Sequence, residues 1–229
     1  MKNNNISMLK KSFIALSIGF SLCGVAQANE FQVVKVAKPS FQHVNLTLDP
    51  AKDNFSGSTT IKLEVLKKTK VIELSGRDYT AQIIKLIGDK NCDMTATMLE
   101  THKVSLKCEH DIQPGKYTLN IDFTAPYNKQ SVGLYKTIDK ELPYLFTQFE
   151  MSDARRAFPV FDEPSYKIPF QLTITAPKDQ KVYANTPELK TVIVGDMATH
   201  HFDKTPPIPS YLVALAVGPF VETKVEGMP

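Results

Sequence analysis

Gln148 and Glu150 are the residues of this 229-residue chain whose types and spacing suit a defined recognition chemistry. Read as a strand, Leu145 to Glu150 sends Phe146, Gln148 and Glu150 to one face and Leu145, Thr147 and Phe149 to the other. An amide and a carboxylate then project together. Such a pair suits a primary ammonium group, because the carboxylate accepts a charge-assisted hydrogen bond and the amide oxygen accepts another. The contact positions a ligand by its amino end and leaves the bond-breaking to other groups. On spacing alone, the same pair also fits the ordinary solvated side of a strand.

The residues that follow must hold this strand in place. Between Met151 and Tyr166 the chain carries Arg155, Arg156, Asp162 and Glu163 together with Pro159 and Pro164, a composition that suits neither a strand nor a helix. Two guanidinium groups and two carboxylates can satisfy one another and the loop carbonyls, so these four residues read as structural. The prolines fix the backbone at both ends of Val160-Phe161-Asp162-Glu163, and Phe158 and Phe161 are expected to anchor it in the core. An ordered, irregular crossing is the expectation, since long irregular segments in compact domains are functional or strongly tied down.

The whole stretch, Thr147-Gln148-Phe149-Glu150 followed by Ala154-Arg155-Arg156-Ala157-Phe158-Pro159-Val160-Phe161-Asp162-Glu163-Pro164 and then Lys167 and Phe170, resembles the substrate-binding segment of the aminopeptidase N family of zinc metallopeptidases. Two weaker matches flank it: Gly133-Leu134-Tyr135, and Pro206 to Ala214 with its Ser210-Tyr211-Leu212 core. Val160 departs from the family, which often has cysteine there. The resemblance implies that Gln148 and Glu150 bind the amino terminus of a peptide substrate. It also implies that the chain is the amino-terminal domain of a zinc aminopeptidase, capping an active site built by a carboxy-terminal catalytic domain.

That catalytic domain is not encoded in these 229 residues. None of the five histidines, His43, His102, His110, His200 and His201, is followed by glutamate, so the H-E-x-x-H helix that carries two zinc ligands and a general base is absent. The family's glycine-x-methionine-glutamate-asparagine strand is absent as well. His200 and His201 are adjacent, and on a strand their side chains point to opposite faces. The expectation is a fragment whose parent enzyme holds zinc through residues beyond Pro229, with no catalytic residue and no metal site in this stretch. A free-standing β-sandwich module that binds peptides or partner proteins is the alternative reading, and a purely structural export domain is a third.

Lys2, Lys10 and Lys11 precede an apolar run from Phe13 to Val25, and Ala26-Gln27-Ala28 completes the pattern of a secretory signal cleaved before Asn29. Export to a bacterial periplasm or medium is expected, with residues 1–28 as leader and 29–229 as one β domain. Leu22 before Cys23 does not fit a lipid-anchor signal. No later segment approaches the roughly 20 apolar residues of a membrane span. The leader's three lysines account for the net charge of +3, which leaves residues 29–229 neutral and gives no reason to expect a nucleic-acid partner.

Beyond the leader, apolar residues alternate in Val44 to Leu48, Thr59 to Val65, Tyr117 to Phe123 and Phe170 to Ala176, and Val71 to Leu74 and Ile83 to Ile87 are short apolar runs consistent with further strands, as are Val182 to Ala184, Thr191 to Val194 and Tyr211 to Val217. Short strands separated by turn signals predict an all-β fold of antiparallel sheets in a sandwich or saddle-like stack. Cys92 and Cys108 remain after leader removal. If Cys92 to Met98 and Val104 to Cys108 form a hairpin turning near Glu100, Met94 faces Leu106, Ala96 faces Val104, and Cys92 faces Cys108 across the strands. Opposite residues lie about 4.5–5.5 Å apart at Cα, so a cross-strand disulfide is predicted.

Overall fold

A computed structural model describes residues 36–223. The expected leader lies outside them. The first strands are β1 (Ala37–Thr47), β2 (Asn54–Val65), β3 (Thr69–Ser75), β4 (Thr80–Ile87), β5 (Cys92–Asp93), β6 (Thr95–Leu99), β7 (Lys103–Ile112) and β8 (Gly115–Pro126). After them come β9 (Gly133–Asp139), β10 (Leu142–Gln148), β11 (Phe170–Pro177), β12 (Lys181–Ala184), β13 (Glu188–Val194), β14 (Met197–Lys204) and β15 (Leu215–Gly218). Single 3-10 turns at Ala154–Arg156 and Ser210–Leu212 are the helical pieces among the described residues, and none is long and apolar enough to cross a membrane.

Three sheets share the strands. The largest runs β13-β14-β11-β1-β2-β8-β4-β5, the second β12-β15-β10-β9 and the third β3-β7-β6. The all-β class is as expected from the alternation. In β2, Phe55, Ile61, Leu63 and Val65 are buried while Lys62 and Glu64 face water. One pairing departs from the antiparallel expectation: β1 runs parallel to β11, Val44 opposite Leu172 and Leu46 opposite Ile174. A parallel pair needs a long crossover, and the chain from β2 to β10 supplies it. Buried side chains from all three sheets, among them Leu46, Ile61, Leu74, Leu106, Leu119, Phe123, Leu145 and Phe149, form one continuous core.

The segment from Tyr211 to Val217 is not one strand. Leu212 N–H donates to Pro209 carbonyl and Val213 N–H to Ser210 carbonyl, closing a tight turn, so the strand is only Leu215–Gly218.

The hairpin around Glu100 exists with a different register. Ala96 pairs with Leu106 and Met98 with Val104, two residues from the expected alignment. The connection is Glu100-Thr101-His102, with His102 N–H donating to Leu99 carbonyl and His102 in the left-handed region at φ 59°. That is the three-residue loop built on a turn plus one left-handed residue. Cys92 never enters this hairpin. It lies in β5, where it pairs with Leu86 of β4, and Met94 N–H donates to Ile84 carbonyl. The chain changes sheets at Met94–Thr95, which leaves Ala96 and Met98 exposed. Cys92 and Cys108 are still joined, with Cα atoms 6.1 Å apart, but the bridge ties the large sheet to the three-stranded one.

Candidate functional site

The site begins with a hairpin. β9 and β10 are joined by Lys140-Glu141, at φ 48° and 69°, the two positive values of a type I′ turn. This turn pairs Asp139 with Leu142 and so places Gln148, the last residue of β10, opposite Gly133. β15 flanks the other edge of β10, Leu145 opposite Val217.

The expected strand to Glu150 stops two residues early, yet the facing pattern survives. Leu145 and Phe149 are buried, and Gln148 and Glu150 are exposed. Phe149 is the pin that ends the strand: its ring meets Phe158 edge-on at 5.8 Å. Glu150 opens a turn, its peptide bond to Met151 is cis, and Asp153 N–H donates back to Phe149 carbonyl at 2.9 Å. Glu150 N–H donates to Gln148 Oε1 at 2.9 Å. Only the oxygen of an amide can accept, so this bond sets the amide's orientation and engages the atom that spacing had assigned to a ligand. Among the described residues, no hydrogen bond or ion pair engages the Glu150 carboxylate. Phe146, on the face shared with Gln148, joins a partly exposed aromatic group with Tyr135, Tyr144 and Phe220 at centroid distances of 6.0, 6.4 and 5.7 Å.

Beneath this face lies the arginine and acid cluster. Arg155 Nε donates to Asp162 Oδ2 at 2.8 Å and its Nη2 to the Asp162 carbonyl at 3.1 Å. Asp162 also accepts from the Arg155 backbone N–H at 3.3 Å and from Ser210 Oγ at 2.5 Å. The two side chains are 12% and 2% exposed, so this is a buried pair with its remaining lone pairs occupied. Arg156 takes a different route: Nε reaches Asp153 at 2.6 Å and Nη1 reaches Asp78 at 2.5 Å. Gly133, at φ 68°, lets the Arg156 stem lie against its backbone, since a Cβ there would meet Arg156 Cβ at 3.0 Å. Glu163 is buried, Pro164 and Lys167 are exposed, and burial followed by the Glu163 charge pushes the Tyr166 phenol up.

The crossing is tied to the sheets from both sides. Ser75 N–H donates to Val160 carbonyl, Arg77 N–H to Arg155 carbonyl, and the buried amide of Gln42 to Pro159 carbonyl. Asp78, Asp153, Ser75, Ser210, Gln42 and Gly133 therefore belong to the site's support, and sequence reasoning had not assigned them to it. Asp153 was within reach, lying three residues from Arg156. Gln42 and Asp78, far away in sequence, left no local signal. His200 and His201 diverge: His200 Nδ1 lies 3.2 Å from Glu188 and from Thr191 Oγ1, while His201 Nδ1 lies 3.5 Å from Thr173.

Residues 38–212 match the model of the Peptidase M1 N-terminal domain family. The chain belongs to that family. It is 33% identical over 219 residues to Aminopeptidase 2 of Candida albicans, covering 92% of this chain and 23% of the relative. Against the Puromycin-sensitive aminopeptidase of Caenorhabditis elegans it is 31% identical over 221 residues, 87% of this chain and 22% of the relative. Against Aminopeptidase N of Acetobacter pasteurianus it is 29% identical over 208 residues, 86% of this chain and 58% of the relative. The chain thus spans a minor part of the first two relatives and just over half of the third.

Proposed function

We propose that this M1 amino-terminal domain is part of an exported zinc aminopeptidase, in which it caps the active site and reads the substrate's α-amino group through Glu150. The observation that carries this reading is the Gln148–Glu150 arrangement. The Glu150 carboxylate is presented to solvent, unengaged among the described residues, on a turn locked by Phe149 behind it and by Gln148 Oε1 on its own N–H. A carboxylate held this way can accept from a primary ammonium at a fixed height. Gln148 acts first on Glu150, by fixing the turn, and retains a second lone pair and two N–H donors for the ligand. Zinc would be supplied by the catalytic domain outside this chain, where it would polarise the scissile carbonyl and activate water. The Arg155–Asp162 pair and the Arg156 contacts serve the support of the loop and not the substrate. Export rests on the leader pattern at residues 1–28.

A hydrogen bond to a charged group contributes about 1.5–3 kcal/mol. In the complete enzyme, Glu150→Ala should therefore raise KM for an aminoacyl-nitroanilide about ten- to hundred-fold. Zinc content should be unchanged. A KM equal to wild type would remove Glu150 from the role.

A further inference from the structure

We propose that Cys92, Cys108 and His110 form a redox-gated site for one zinc-like d10 cation, closed while the cysteines are bridged and opened when they are reduced. Cys108 and His110 stand two residues apart on β7, so both project from the same face of the strand. Cys92 reaches them from β5, at the end of the large sheet. Cys92 Sγ, Cys108 Sγ and His110 Nδ1 all lie within 4.8 Å of one another.

The spacing suits a tetrahedral ion. Zinc bonds thiolate sulfur at about 2.3 Å and imidazole nitrogen at about 2.0–2.1 Å, which places neighbouring S and N ligands roughly 3.6 Å apart. His110 Nδ1 lies 3.6 Å from Cys108 Sγ. The histidine edge of the coordination shell is therefore preset in the bridged protein. Once the covalent bond is gone, only the two sulfurs need to part, to roughly 3.8 Å, a movement available to side-chain rotation.

Charge favours the same ion. A phosphine and one water reduce the bridge: the phosphine gives two electrons and takes the water's oxygen as its oxide, and the water's two protons complete the two thiols. The thiols then release two protons to solvent as their thiolates bind the cation, and His110 adds a neutral lone pair. Two thiolates and a divalent ion sum to zero, which a nearly closed pocket tolerates. Cys108 and Cys92 are 0% and 6% exposed, whereas His110 is partly exposed and gives the ion its way in. Three protein ligands leave one position for water. The metal would then replace the bridge as the tie between the two sheets.

The test uses the full chain carrying Cys23→Ser, so that no third thiol contributes. It is reduced with a phosphine under anaerobic conditions and titrated with zinc against a chromophoric chelator, with far-UV circular dichroism recorded throughout. The expected result is one zinc per folded, reduced chain and a higher Tm on zinc addition. The oxidised chain should take up none. His110→Ala, at a partly exposed position outside the bridge, should keep the fold and weaken zinc binding by more than about tenfold, the loss expected even for partners that only support a ligand. The proposal fails if the folded, reduced chain takes up no zinc, if the oxidised chain binds as well, if His110→Ala binds with unchanged affinity, or if reduction abolishes the strand signal and leaves no folded site.

Discussion

Asp162→Ala tests the claim that the Arg155–Asp162 pair holds the segment beneath Glu150. The Asp162 side chain is 2% exposed and that of Arg155 12%, so solvent cannot take over the carboxylate's role. The substitution removes the carboxylate that accepts from Arg155 Nε, Ser210 Oγ and the Arg155 N–H, and leaves the guanidinium charge buried with only the Asp162 backbone carbonyl as its acceptor. Removing one partner of a buried pair costs about 3–5 kcal/mol, much of it the penalty of the charge left behind. For a domain of this size, each kcal/mol moves Tm by about 2–4 °C, so a fall of about 6–20 °C is expected. Asp78→Asn is the matched control, because Asp78 sits at φ 65°, a conformation that asparagine tolerates and alanine does not. Asp78 meets Arg156 at 2.5 Å, a shorter contact than the buried pair's, yet its side chain is 46% exposed. An exposed pair contributes about 0–1 kcal/mol. Urea unfolding at neutral pH, followed by circular dichroism with equal m-values, reads the difference directly. If Asp162→Ala shifts the midpoint no more than Asp78→Asn does, burial is not what gives the pair its importance, and the reasoning is wrong.

Lys140→Asn with Glu141→Gly should stabilise the chain by about 1 kcal/mol, because the turn demands positive φ at both residues and the native pair is poorly suited to it; an unchanged urea midpoint would contradict the turn assignment. His43 sits on β1 with its Nε2 3.0 Å from Thr173 Oγ1, and burial first, then the charge of His201, holds its pKa below 6.5. The unfolded chain therefore binds this proton more readily, so stability is fully present above pH 6.5 and is lost as pH falls below it towards the folded value. Urea midpoints between pH 7.5 and 5.5 should fall less for His43→Gln than for wild type, and parallel curves would show that His43 does not contribute.

The strands and their faces were legible because alternation is a local property. Ile61, Leu63 and Val65 announce a buried face whatever lies across from them. The hairpin that carries Gln148 was much harder to read, since Lys140-Glu141 lacks the Asn-Gly or Asp-Gly pair that marks such a turn. The Cys92–Met98 segment misled for a related reason. Its period-two pattern continues through Met94, but the chain passes from one sheet to another there, and nothing in the residue types records the change.

By itself, the sequence determined an all-β chain, the Thr147–Pro164 segment that marks the M1 amino-terminal domain, and the outward direction of Gln148 and Glu150. Tertiary structure alone decided the parallel pairing of β1 with β11, the bridge from Cys92 across two sheets, and the packing of Arg156 between Gly133, Asp78 and Asp153. Side-chain direction repeats every two residues, so a hairpin shifted by two, as Ala96 opposite Leu106 instead of Val104, keeps every residue on its expected face. Periodicity therefore reveals faces. Partners and register come from turn geometry and from contacts between residues far apart in the chain.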